Sequence, residues 1–168
     1  VEAADEAGVD AVTISRIGGQ LLAGQAPLNN GVALMEAVTH GMRQNAPEKD
    51  IVEATRRRIA RSLCKTAAPD GMIMAVEISP DLSAELVNTI SYGHLSPRGQ
   101  QAERWMEILG RWERENARMD HPIALLCDRR LRAPVQQLVT DLGFVLMVLS
   151  SDELEPEFSV RIVETLES

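Results

Sequence analysis

Apolar residues recur along the first third of the chain at intervals of three and four, the period of helices with one buried face. After Asp10, a residue type suited to capping a helix N-terminus, Val12, Ile14, Ile17, Leu21 and Leu22 trace one such face. Gly18 and Gly19 within it predict a close approach of a neighbouring helix. Residues 24–30 (GQAPLNN) have the composition of a turn. A second helix is expected from about Asn30, with Val32, Met35, Val38 and Met42 inward, and residues 45–49 break it. Asp50 is expected to cap a third helix that buries Val52, Ile59 and Leu63 and runs to about residue 67.

From residue 68 the pattern changes to short apolar runs alternating with helical ones. Pro69-Asp70-Gly71 reads as a turn, and residues 72–78 (MIMAVEI) read as a strand. Ser79-Pro80 is a helix start, followed by Leu82, Leu86 and Ile90 at helical spacing. Ser96-Pro97 repeats the device before the most amphipathic segment, in which Ala102, Trp105, Met106, Leu109 and Trp112 form a stripe. Residues 123–127 (IALLC) form a second strand, residues 133–142 a helix closed by Gly143, and residues 145–149 and 160–163 two further strands. The expected fold is α/β, or α+β taken over the whole chain: a helical subdomain at 1–67, then a small four-stranded, mostly parallel α/β subdomain at 68–168. The last strand is expected to add antiparallel at an edge.

The chain has 168 residues, enough to bury about 70% of its unfolded surface without a metal or disulfide staple. A net charge of −8 opposes binding to nucleic acid or an anionic membrane surface, both of which need a positive field. No run approaches the roughly 18 apolar residues of a membrane span. Cys64 and Cys127 lie in apolar stretches and read as buried, reduced thiols, with a disulfide between them as the alternative.

The residues that could carry chemistry do not assemble into a motif. His40, His94 and His121 are far apart and none has a second ligand at metal spacing on its own element. Neither cysteine sits where its thiolate would be favoured, and no glycine-rich loop follows a strand and opens a helix. No metal or cofactor is expected. One enzyme reading stays open: a site assembled at the C-terminal ends of the strands, from the loops at Ser79, Asp128 and Ser150. Another open reading is a scaffold domain unrelated to any of this. The sharpest charged feature is Arg56, Arg57 and Arg58 with Arg61. It reads either as the solvated face of the third helix or as a contact for a neighbouring subunit or acidic partner.

Several of these segments resemble one family. Glu53, Arg56, Ile59, Arg61, Leu63 and Cys64 are similar to the E-x-x-R-x-x-L-x-R-x-I-C pattern of the type III secretion and flagellar export-gate family (FHIPEP, the FlhA/SctV type). Upstream, Ile17, Leu21 and Leu22 with Pro27-Leu28 and Met35-Glu36-Ala37 resemble another of its segments. Downstream, Leu126-Cys127 and Leu131-Arg132-Ala133-Pro134-Val135 resemble its L-L-C and I-R-P-x-V stretches, and residues 148–154 (VLSSDEL) its V-L-S-x-x-E-I signature. The resemblance implies the C-terminal cytoplasmic part of an inner-membrane protein that acts in docking and carries out no chemistry. It implies self-association into a homo-oligomeric ring, and partners among export substrates, chaperones and ATPase-complex proteins. The protein-contact residues expected on this reading are Arg56, Arg57, Arg61 and Arg132.

Overall fold

The computed structural model describes residues 11–27, 31–97, 99–119 and 122–167. Asp10, Asn30 and His121 lie outside the described residues. The chain divides into two compact units, Val1–Leu63 and Cys64–Ser168. Among the described residues the first unit is helical and the first strand begins at Met72.

In the first unit, α1 (Ala11–Ala23), α2 (Gly31–Arg43) and α3 (Glu48–Arg58) follow one another. Ile17 and Leu21 of α1, Val38 of α2, and Ile51 and Val52 of α3 are buried. The helix pairs in closest contact are α2 with α3 and α1 with α3. Asp50 does not cap α3 but sits in its first turn, where a negative charge suits the helix N-terminus. The expected single third helix is two: Ile59 leaves helical geometry at φ −104° and ψ 18°, and α4 (Ala60–Ala67) follows. Both α1 and α2 end in Schellman turns. Ala26 N donates to Leu21 O and Ala46 N to Gly41 O, with Gln25 and Asn45 left-handed at φ 56° and 50°.

The glycines that permit close packing are not the expected pair. Gly18 and Gly19 face open space, whereas a Cβ on Gly41 would lie 2.8 Å from Ile51 Cγ1, and one on Gly24 would lie 2.8 Å from Arg56 Nη1. Arg56 is fully buried, at 0% exposure, and its Nη1 donates to Gly24 O at 3.1 Å. Its cation thereby meets the carbonyl-rich C-terminal end of α1, where the helix dipole favours positive charge. Around this centre, Arg16 pairs with Glu48 and Arg58 with Glu36 at 3.3 Å.

The second unit is a four-stranded sheet of β1 (Met72–Ile78), β2 (Ile123–Cys127), β3 (Val148–Ser150) and β4 (Ser159–Leu166), in the order β3-β2-β1-β4. All three pairings are parallel. This corrects the expected antiparallel last strand: residues 151–158 carry the chain back from the end of β3, so β4 starts level with β1. Hence Met72 pairs with Ser159 and Ile78 with Leu166. The strands are nearly continuous apolar runs because both faces of β1 and β2 are buried. Val76, Ile78, Ile123, Leu125 and Val148 face one core with residues of α5 (Pro80–Thr89), α6 (Gln100–Asn116) and α7 (Arg129–Asp141).

Other boundaries moved for local reasons. α6 starts at Gln100 after Gly99, whose φ is +57°, rather than at Ser96-Pro97. Its buried stripe is Trp105, Ile108 and Leu109, and Met106 is exposed. α7 starts four residues before Ala133, at Arg129, because Asp128 caps it, and the helix accommodates Pro134 inside it. Gly143 closes α7 as expected, at φ +79°, with Phe144 N donating to Val139 O at 3.0 Å. On the edge strand, Glu164 accepts from Trp112 Nε1 at 2.7 Å and pairs with Arg111, which ties β4 to α6. The register slips by one residue at Val163, a bulge typical of an edge strand.

We expect Arg56→Ala to destabilise the helical unit by about 3–5 kcal/mol, since it opens a cavity and strips a buried carbonyl of its charged donor. Gly24→Ala weakens the same contact, so the two substitutions combine non-additively, by more than about 0.5 kcal/mol. Urea unfolding followed by amide hydrogen exchange of α1 and α3 measures both; strict additivity would contradict the contact.

Candidate functional site

The four arginines expected to make protein contacts do not share one environment. Arg56 is buried against Gly24, and Arg132 on α7 is only 4% exposed. The burial of Arg56 corrects the reading of Arg56, Arg57, Arg58 and Arg61 as one solvated face. The reason is helical geometry: Arg56 lies four residues after Val52 and three before Ile59, on the buried stripe itself. Arg57 and Arg61 remain exposed, in the last turn of α3 and the first turn of α4.

A second surface of the helical unit was not expected. Val12, Leu22, Val32 and Met35, all placed inward by periodicity, are exposed, with Val32 at 73%. Ile14, Val32 and Met35 line an open groove of about 960 Å³ between α1 and α2. The groove is also lined by His40 and Arg43, from the last turn of α2, and by Arg58. Among the described lining residues Glu36 is the one carboxylate, and it is paired with Arg58.

In the second unit the strand-end loops at Ser79, Asp128 and Ser150 do converge. A crevice of about 280 Å³ opens there, lined by Glu77, Ser83, Asp128, Arg130 and Ser151 among others. Each of the three expected polar groups is engaged locally. Ser79 Oγ accepts from Leu82 N at 3.2 Å as the cap of α5. Asp128 accepts from Arg130 N at 2.8 Å and from Arg130 Nε at 2.9 Å. Ser150 Oγ donates to Asp152 Oδ1 at 2.6 Å, while Ser150 N donates to Glu153 in a capping box. Hydrogen bonds from Arg130 hold the Asp128 carboxyl below its ordinary range, which makes it a poor proton acceptor.

The thiols are equally placed as structural groups. Cys64 and Cys127 are free and buried; Cys64 Sγ donates to Glu153 O at 3.1 Å, and burial pushes its thiol pKa up. A thiol held protonated is a weak nucleophile. Among the described residues no group of three His, Cys, Asp or Glu side chains could hold a metal ion. No helix among them is long and apolar enough to cross a membrane.

A helical unit leading into a four-stranded parallel α/β unit, with strand-end polar groups turned to helix capping, defines the class of this fold. The chain belongs to the FHIPEP family, the type III export-gate family, whose model matches residues 1–159. The fold is similar to that of the Shigella flexneri MxiA protein, at 20% identity and a TM-score of 0.75, over 92% of this chain and 52% of that one. It is similar to the C-terminal domain of InvA, at 21% identity and a TM-score of 0.72, over 92% of this chain and 48% of that one. The Chlamydia pneumoniae CdsV protein matches at 14% identity and a TM-score of 0.71, over 92% and 46%. The chain thus spans about half the length of these solved chains. No curated protein matches the sequence.

The Asp128 cap has a testable pH signature. Its carboxyl is depressed in the folded chain, so its contribution is complete above the unfolded value of about 3.9 and fades as pH falls through the folded value. We expect Asp128→Ala to cost about 1 kcal/mol near neutral pH, with the gap to wild type narrowing below about pH 4. Urea melts across that range measure it; a gap that widens in acid would contradict the assignment.

Proposed function

We propose that this chain is the cytoplasmic docking and ring-assembly part of an export-gate subunit, working by protein contact and not by catalysis. The family match over residues 1–159 carries the reading. Two further similarities support it. One is to a nonameric SctV-C, over 92% of this chain and 48% of that one. The other is to CdsV in a complex with CdsO. On this reading the chain self-associates in a ring on the cytoplasmic face of the inner membrane. There it receives export substrates, chaperones and ATPase-complex proteins, and its membrane link lies in the N-terminal half of the longer protein.

Of the arginines, we assign the partner contact to Arg57 and Arg61, whose exposure supports it, whereas Arg56 and Arg132 are buried. The reading of the chain as a small α/β enzyme loses support at its own residues, since Ser79, Asp128 and Ser150 are each committed to a cap or turn.

The test pairs a stability measurement with an export measurement. We expect Arg57→Glu with Arg61→Glu to shift stability by less than about 0.5 kcal/mol, as exposed substitutions do, while impairing export by the longer protein, because like charges at a contact cost far more. The 168-residue chain alone should be monomeric or weakly associating at micromolar concentration, since ring formation gains from local concentration that the rest of the protein provides. Normal export by the double variant would overturn the contact assignment, and a closed oligomer of the isolated chain in light scattering would overturn the avidity argument.

A further inference from the structure

We propose that the open edge of β4 is a strand-addition site for an extended segment of a partner protein, one in which two apolar residues flank an acidic one. The proposal deepens the docking reading, on which it rests only for the existence of such partners, by assigning a second surface and the form of what docks there.

The backbone defines the site. Among the described residues β4 pairs with β1 along one side and with no strand along the other. Ser159 N donates to Gly71 O at 2.9 Å, toward β1, and the direction of bonding alternates along a strand. Arg161 therefore also turns its N–H and C=O to β1, while Val160 and Ile162 turn theirs to the open edge. At the far end Leu166 O accepts from Ser79 N at 2.9 Å, again on the β1 side. The extra residue at Val163 accounts for the change from odd to even positions. That bulge also ends the straight edge, so an added strand pairs over residues 159–162.

Side chains select the visitor. Val160 and Ile162, whose backbone groups face the open edge, are 38% and 40% exposed and share one face of the sheet. Arg161 lies between them on the opposite face; it is exposed and enters no ion pair among the described residues. A helix laid here would leave the edge N–H and C=O groups unpaired, whereas an extended chain satisfies them. Apolar residues two apart on that chain cover Val160 and Ile162. The residue between them meets Arg161, where a carboxylate is attracted and a cation repelled. A second copy of β4 fits poorly. Whichever way it runs, a second β4 that covers Val160 and Ile162 with the same two residues sets Arg161 against Arg161, and two chains of charge −8 repel.

The experiment uses the isotopically labelled 168-residue chain and three synthetic peptides of about ten residues. The first carries Val-Glu-Val at its centre and the second Val-Lys-Val. The third is the first with its three central amides N-methylated, which removes the donors that strand pairing needs. Expected is binding of the first peptide that slows amide hydrogen exchange at Val160 and Ile162 by at least about tenfold, with exchange in the helical unit unchanged. The lysine peptide should bind at least about threefold more weakly, and the methylated one at least about tenfold. Arg161→Glu should reverse the order of the glutamate and lysine peptides and leave the sheet intact, since that side chain is exposed. Val160→Pro, which removes an edge donor and no bond to β1, should also weaken the glutamate peptide. Four results would each overturn the proposal. They are no slowing at Val160 and Ile162 with about 1 mM peptide, equal affinity for the glutamate and lysine peptides, undiminished binding of the methylated peptide, and protection that rises with the chain's own concentration. Because the measurement reads the sheet unit and needs neither a ring nor export, its failure leaves the contact of Arg57 and Arg61 standing, and the failure of that contact leaves the edge standing.

Discussion

The helical unit depends on a cation held where solvent cannot reach it. Arg56 is fully buried and donates to the carbonyl of Gly24, just past the end of α1. A guanidinium in that position has lost its hydration and regains stabilisation only through well-placed acceptors, so its surroundings are constrained in turn. Gly24 has to lack a side chain, because a Cβ would meet Nη1 at 2.8 Å. Gln25 has to take up the left-handed conformation that a glycine would adopt more cheaply, so that the α1 carbonyls turn toward α3. The position of α1 on α3 follows, and with it the orientation of the helix faces left open to solvent.

Burial shapes the second unit in a different way. A parallel sheet covered on both faces directs its polar groups to the strand ends, where helix N-termini also gather. In many α/β proteins that convergence makes a reactive crevice. Here Ser79, Asp128, Ser150 and Glu153 satisfy the backbone donors that open the following helices and turns. The same residue types that suggest chemistry by their location are used to finish the fold, and the surface left for function lies on the outsides of helices and along the open sheet edge.

That division explains what could be read from the sequence. β1 and β2 were legible residue for residue, because short apolar runs bounded by Gly71, Ser79 and Asp128 admit little else. The direction of β4 was not, since a strand's pattern carries no record of which way its partner runs. Val32 and Met35 were misplaced because periodicity identifies an apolar face without saying whether its partner is in the same chain. Arg56 was misplaced for the opposite reason. Its spacing from Val52 and Ile59 puts it on the buried stripe, whereas its charge alone points to the surface. Arg132, beside the buried Leu131 and Val135 in α7, repeats the lesson. In both places position on the helix outweighed residue type, since a long side chain can reach a carbonyl acceptor or partner within the packed unit.

The proposed protein contact on the exposed face of α3 and α4 can be probed by photocrosslinking from Arg57 in cells. A crosslinkable residue at that position should yield a discrete adduct with a second copy of the protein or with an export component, while one at Arg130, beside the strand-end crevice, should not give the same product. An Arg57 position that yields no adduct in exporting cells would contradict the claim.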